Sequence, residues 1–296
     1  MSAQPTSMRV FDDDATWLRL GAYCPSCGKW VSREASPGHQ AVAIPPRLWV
    51  YTNYDCNLTC RYCLVSSSPW ADRRGIGLDR FTTLVGQAIQ LGIDELFLTG
   101  GEPFLVPEIY EMISLATPRV RTTVLSNAMV LRGRRLEKLL ASNAPNLWIQ
   151  VSVDDAEPGV HDLYRGDGSW RRAIDGIRLL KSAGVQVRVA TTVTPELLPK
   201  LDRVRMFVRD TLGIPEADHI VRPLLKRGFA EAGLAVGKEN LIPELTVDAN
   251  GVYWHPAGTD ADLQVTADTS SLRGGLEEIA RALLTRGADG LRQGFR

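Results

Sequence analysis

Neither sign of charge predominates in this chain: 34 Lys and Arg residues stand against 34 Asp and Glu among 296 residues. That balance argues against the basic footprint of a nucleic-acid binder and against attraction to an anionic membrane surface. Long apolar runs are also missing. No stretch reaches about 18 residues, so no membrane span is expected, and residues 1–14 lack the apolar centre of a signal peptide. Cysteine is scarce, with five residues, and histidine scarcer, with four. The cysteines fall in two C-x-x-C-like groups, which fits metal ligands in a reducing compartment, the cytoplasm, better than a disulfide framework. No internal repeat stands out beyond a strand–helix period, and there is no low-complexity tract.

What is present is enough apolar residue, 44%, for one large α/β domain with an appendage or for two modest domains. Residues 1–20 read as polar and irregular. A tight Cys24-Pro25-Ser26-Cys27 knuckle and a Pro/Gly-containing connector lead to Pro46. From there strands alternate with helices. Strands are expected at 47–53, 95–99, 122–126, 147–153, 185–193 and 219–222. Helices are expected at 79–91, from Pro107, at 133–142 (carrying Leu136, Leu139 and Leu140), from an N-capping Ser169 to Ala183, and at 197–212. About six such units argue for a parallel sheet with right-handed crossovers. They are too few to close an eight-stranded barrel. After about residue 234 the pattern changes to a hairpin around Asn250-Gly251 and a helix at 272–284.

The chemistry-bearing stretch is Cys56-Asn57-Leu58-Thr59-Cys60-Arg61-Tyr62-Cys63, which holds three of the five cysteines in eight residues. A four-cysteine zinc site lacks its fourth ligand here. Three buried apolar thiols would need no such spacing. Three thiolates on a short loop can hold three irons of a cubane and leave the fourth open. The run resembles the cluster loop of the radical S-adenosylmethionine (radical SAM) family, C-x3-C-x-aromatic-C, with Tyr62 as the aromatic. The resemblance covers residues 47–228 with specific motifs and the remainder loosely.

It implies an open (β/α)6 partial barrel with a small C-terminal hairpin-and-helix extension, and a [4Fe-4S] cluster on Cys56, Cys60 and Cys63. It also implies reductive cleavage of S-adenosylmethionine to a 5′-deoxyadenosyl radical that removes hydrogen from a substrate. By the same resemblance the cofactor is held by Gly100-Gly101-Glu102, whose carboxylate meets the methionine ammonium, and by Ser126-Asn127 near the ribose. Ser152 and Asp154 match the family's Ser-x-Asp strand end. Arg165 matches its carboxylate-binding arginine, Thr192 is a further ribose contact, and Tyr62 offers backbone atoms to the adenine. Unpaired polar residues at strand ends are often only structural caps. His161 and Tyr164 read as residues of a loop and receive no catalytic role.

Cys24 and Cys27 are open to three readings: ligands of zinc or of a second cluster, a structural turn, or redox-active thiols. His39 and His255 could complete a site with them, although the spacing is not a standard one. The C-terminal part resembles the "twitch" extension, a cut-down SPASM domain. Those extensions usually carry cluster-binding cysteines, and here His255-Pro256 follows Tyr253-Trp254 with no cysteine beyond Cys63. The expected division is therefore 1–46, a core at 47–230 and an extension at 231–296. Redox-neutral or hydrogen-replacing outcomes are favoured over net oxidation. The N-terminal segment is too short for a winged peptide-recognition domain. That favours a small metabolite of specialised biosynthesis, with peptide or protein modification as the rival and a non-catalytic iron–sulfur or zinc scaffold as a third reading. A flavodoxin or ferredoxin is the expected reductant.

Overall fold

The computed structural model describes residues 21–26, 28–31 and 42–285. The readings for residues 1–20, Cys27, His39 and the connector at 32–41 lie outside the described residues. A small antiparallel sheet comes first, in the order β2-β1-β3, from β1 (Gly21–Cys24), β2 (Lys29–Val31) and β3 (Val42–Ile44).

The main body is a strand–helix series. β4 (Arg47–Asn53) leads through the cysteine loop to α1 (Leu78–Leu91), then β5 (Glu95–Gly100), α2 (Ile109–Ala116), β6 (Arg121–Ser126), α3 (Arg134–Ala141) and β7 (Leu147–Ser152). Two helices follow, α4 (Pro158–Arg165) and α5 (Ser169–Ser182), then β8 (Gln186–Val193), α6 (Leu201–Met206) and β9 (His219–Pro223). Phe81, Leu84, Val85 and Ala88 bury one face of α1, and Gly92, with φ 77°, closes it by donating to the Ala88 and Ile89 carbonyls.

All neighbours from β4 to β9 pair in parallel, in chain order. Residues from β4 and β9, at opposite ends of that run, line one cavity. The six strands are therefore curled into an open partial barrel, as expected. Its lower end is plugged by ions: Glu95 binds Arg188 at 2.9 Å and Arg121 at 3.0 Å.

The C-terminal hairpin joins this sheet. β10 (Thr246–Val247) runs parallel beside β4, and β11 (Val252–Tyr253) and β12 (Gln264–Thr266) follow antiparallel. Asp248 Oδ1 shapes the turn by accepting the Asn250 and Gly251 amides at 2.7 and 2.9 Å. α7 (Leu272–Thr285) buries Leu276, Ile279 and Ala280 against it.

Three local expectations change. Segment 158–165, read as loop, is α4, opened by Pro158 at a position where a missing amide does no harm. Ser169 does not cap α5. Asp162 of α4 does so by accepting the Gly168 and Trp170 amides, and it takes the Ser169 hydroxyl as well. The long helix at 197–212 is broken into a 3-10 turn around Pro199, α6, and a π turn at Phe207–Thr211. Among the described residues, no helix is long and apolar enough to cross a membrane.

Candidate active site

The carboxyl ends of the parallel strands surround a cavity of ≈ 930 Å³. Cys56, Cys60 and Cys63 all reach its wall from the loop after β4. That loop is anchored on neighbouring strand ends. The Gly101 amide donates to the Asn53 carbonyl and the Glu102 amide to the Asp55 carbonyl, both at 3.0 Å. A Cβ on Gly101 would stand 2.0 Å from the Asp55 oxygen, so only glycine permits this approach. The Arg61 amide donates to the Tyr164 carbonyl at 2.8 Å, which fixes the loop's far side to α4.

Two sulfurs accept backbone amides: Cys56 from Leu58 at 3.4 Å and Cys63 from Ser67 at 3.2 Å. Such N–H···S bonds are the kind that tune cluster-bound sulfur. Burial pushes the Cys56 thiol up to about 12 and the Cys60 thiol to about 11. These thiols keep their protons at neutral pH until a cationic metal displaces them. Among the described residues, no three His, Cys, Asp or Glu side chains converge as around one metal ion. Cysteines that each take a separate iron of a cubane need no such convergence, so this donor set fits the cluster.

Of the strand-end residues singled out in the sequence, Gly100, Gly101, Ser126, Asn127, Ser152 and Thr192 line the cavity, and Tyr62 and Arg165 do so from the cysteine loop and α4. Glu102 and Asp154 are not on its surface; both are fully buried behind it. Glu102 is a strut. Its carboxylate accepts the Ser126 hydroxyl at 2.8 Å, the Asn127 amide at 2.8 Å and the Phe104 amide at 3.2 Å. Burial nevertheless raises its carboxyl to about 7.

Asp154 organises the opposite side. It receives Arg165 Nε at 2.5 Å, the Thr192 amide at 2.8 Å and the Tyr62 hydroxyl. Burial opposes its ionisation most, but the charge and hydrogen bond of Arg165 together with the Tyr62 hydroxyl outweigh it and hold the carboxyl below the usual carboxylate range. The Asp154 amide donates to His161 Nδ1 at 3.1 Å. His161 is thus a buried neutral ring, lowered to about 4 by burial, and not a surface residue. Tyr62 also stacks on Tyr164, with ring centroids 5.5 Å apart.

Asn127 ties two motifs together. Its Nδ2 lies 2.9 Å from Asn57 Oδ1 and 3.9 Å from the Cys56 sulfur. Cys24 stays apart. It is buried on β1, with its sulfur 3.1 Å from the Ser26 hydroxyl, and it does not reach the cavity that His255 lines. Sequence reasoning gave no role to Tyr51, Gln150, Arg222 and Glu244, which line the same cavity. Strand alternation offered a signal: Gln150 lies two residues before Ser152 and Tyr51 two after Trp49, so each faces the same way as a wall residue.

Comparison with known proteins agrees with this geometry. The family model described as "Radical SAM superfamily" matches residues 50–206, just over half of the chain. The AdoMet-dependent heme synthase of Nitratidesulfovibrio vulgaris is 26% identical over 181 residues, covering 60% of this chain and 47% of that protein. The antilisterial bacteriocin subtilosin biosynthesis protein AlbA of Bacillus subtilis is 30% identical over 157 residues, covering 52% of this chain and 35% of that one. The chain thus spans less than half the length of these relatives. Among solved structures, native anSMEcpe with bound AdoMet and Cp18Cys peptide superposes with a TM-score of 0.59 at 14% identity, over 78% of this chain and 79% of that one, a likeness of fold.

Proposed function

The chain belongs to the radical SAM superfamily, and from that premise we propose that it is an enzyme removing hydrogen from a substrate held in the cavity above its six parallel strands. The carrying observation is that the three cysteines and the polar strand ends share one wall-lined space. Members of the family use a [4Fe-4S] cluster and S-adenosylmethionine. When bound, that pair supplies a 5′-deoxyadenosyl radical through one-electron cleavage of the sulfonium.

In this reading Cys56, Cys60 and Cys63 hold the cluster. Ser152 and Arg165 hold the methionine carboxylate, with Arg165 aimed by Asp154. The Gly100-Gly101 backbone, Ser126, Asn127 and Thr192 flank the remainder of the cofactor. Glu102 holds Ser126 and Asn127 in place from behind. Tyr62 and Tyr164 close the side against water. The division into 1–46, 47–230 and 231–296 belongs to the same proposal, as do a flavodoxin or ferredoxin reductant and a reducing, cytoplasmic setting.

The substrate is a compact molecule, because the cavity must also hold the cluster and S-adenosylmethionine and because the hairpin segment, through Glu244, His255 and Pro256, bounds one side of it. A second reading, modification of a peptide, has the name of AlbA in its favour. Anaerobically reconstituted and reduced protein should release 5′-deoxyadenosine from S-adenosylmethionine. Equal release by a Cys56/Cys60/Cys63→Ala variant would overturn the proposal.

A further inference from the structure

One wall of the cavity carries polar groups that the reading above leaves unused. Arg222, on β9, stands in register with Thr192 and lines the cavity. Its guanidinium makes no hydrogen bond and no ion pair with any described residue. The carboxylate in its field is that of Glu244, which is already engaged: Trp49 Nε1 donates to Glu244 Oε2 at 2.6 Å, and Glu244 Oε1 faces His255 Nε2 at 3.9 Å. His255 Nδ1 accepts the Ala257 amide at 2.9 Å, so the ring's remaining proton is on Nε2, toward Glu244. Deeper in the same cavity, opposite Arg188 and so four residues along β8 from the level of Arg222, Gln150 is 2% exposed and its Oε1 has no partner. A half-buried guanidinium on a cavity wall, which no carboxylate contacts directly, is an unfinished binding surface.

We propose that this wall recognises the substrate through a carboxylate that pairs with Arg222. The inference rests on the radical SAM reading and deepens it by naming what the substrate must carry. A planar guanidinium matches a carboxylate with two parallel N–H···O bonds. A phosphate dianion fits the fork as well, but Glu244 nearby repels the second charge more strongly, which favours the monoanion. Burial lowers the hold of Arg222 on its proton, and a bound anion restores it.

The test is calorimetric titration of the full chain, reconstituted and saturated with S-adenosylmethionine, with four probes. These are N-acetylglycine, its uncharged amide, inorganic phosphate, and a capped tripeptide with a central Glu. One of the two carboxylate probes should bind at least tenfold more tightly than the amide. Arg222→Gln should lose at least tenfold of that affinity and Arg222→Lys should lose less. Tighter binding by the free acid assigns the carboxylate to a small metabolite, and tighter binding by the tripeptide assigns it to a peptide side chain. Failure of both carboxylate probes to bind the unaltered protein more tightly than the amide, undiminished binding by Arg222→Gln, or phosphate binding tightest of all would overturn the proposal. Should Arg222→Gln fail to fold, the acid-against-amide comparison in the unaltered protein and in Arg222→Lys decides. Absence of probe binding to the unaltered protein, with its cubane absorbance intact, counts against Arg222 recognition alone. Missing 5′-deoxyadenosine release counts against the reading beneath it.

Discussion

Arg165 Nε lies 2.5 Å from Asp154 Oδ2, and this ion pair joins the end of α4 to the residues just beyond β7. Asp154 is fully buried and Arg165 is 11% exposed, on the cavity wall, so the carboxylate has no water to fall back on and the guanidinium little. The pair aims the guanidinium at the cavity and draws the Tyr62 hydroxyl and the Thr192 amide into one network.

Asp154→Asn should therefore cost about 3–5 kcal/mol in folding free energy, because Arg165 is left as an uncompensated buried charge. Denaturant unfolding followed by circular dichroism measures it. A loss below about 1 kcal/mol would mean that the pair behaves like a surface salt bridge.

Glu102 makes stability depend on pH. Its carboxyl is raised from 4.5 to about 7, so between those values the folded chain holds a proton that the unfolded chain releases. Its contribution is fully present below about 4.5 and is lost as pH rises through about 7, a change of about 3 kcal/mol at 1.36 kcal/mol per unit. Melting curves of the metal-free protein from pH 5 to 8 should decline more steeply than those of Glu102→Gln. Parallel curves would remove Glu102 as the cause.

Gly101→Ala should dislocate the cysteine loop, since the added methyl would stand 2.0 Å from the Asp55 oxygen, a backbone atom that cannot rotate away. The expected result is a destabilisation of about 2 kcal/mol or more and fewer irons retained per chain after reconstitution. Gly86→Ala, with open space around its Cβ on α1, is the control and should retain iron normally.

Cys24→Ala should leave the cubane absorbance unchanged, because its sulfur is buried on β1 and does not reach the cavity. Alanine at Cys56, Cys60 or Cys63 should abolish that absorbance. Iron counts after anaerobic reconstitution check both halves of the expectation.

Much of the site was legible because its residues stand at strand ends, where spacing along the chain reports position in the fold. Ser126-Asn127, Ser152 and Thr192 follow apolar runs and land on the cavity wall. Side-chain direction was not legible. Glu102 and Asp154 resembled cofactor contacts, but each turns away from the cavity to satisfy amides of the next strand end. Nor did the sequence show α4. Its eight residues open on Pro158-Gly159, a turn signal, and His161 is buried where its Nδ1 accepts the Asp154 amide, a contact across seven residues that no local pattern announces.

The order of residues alone determined the parallel sheet and the cysteine trio, because hydrophobic period and metal-ligand spacing are local properties. Tertiary structure decided what no local pattern contains. Curling brings β9 round to share a cavity with β4, which places Arg222 in the field of Tyr51 and Glu244. The hairpin pairs beside β4 and sets His255 in that wall, away from Cys24. These are contacts between segments tens to nearly two hundred residues apart, fixed by burial and hydrogen-bond satisfaction across the whole sheet.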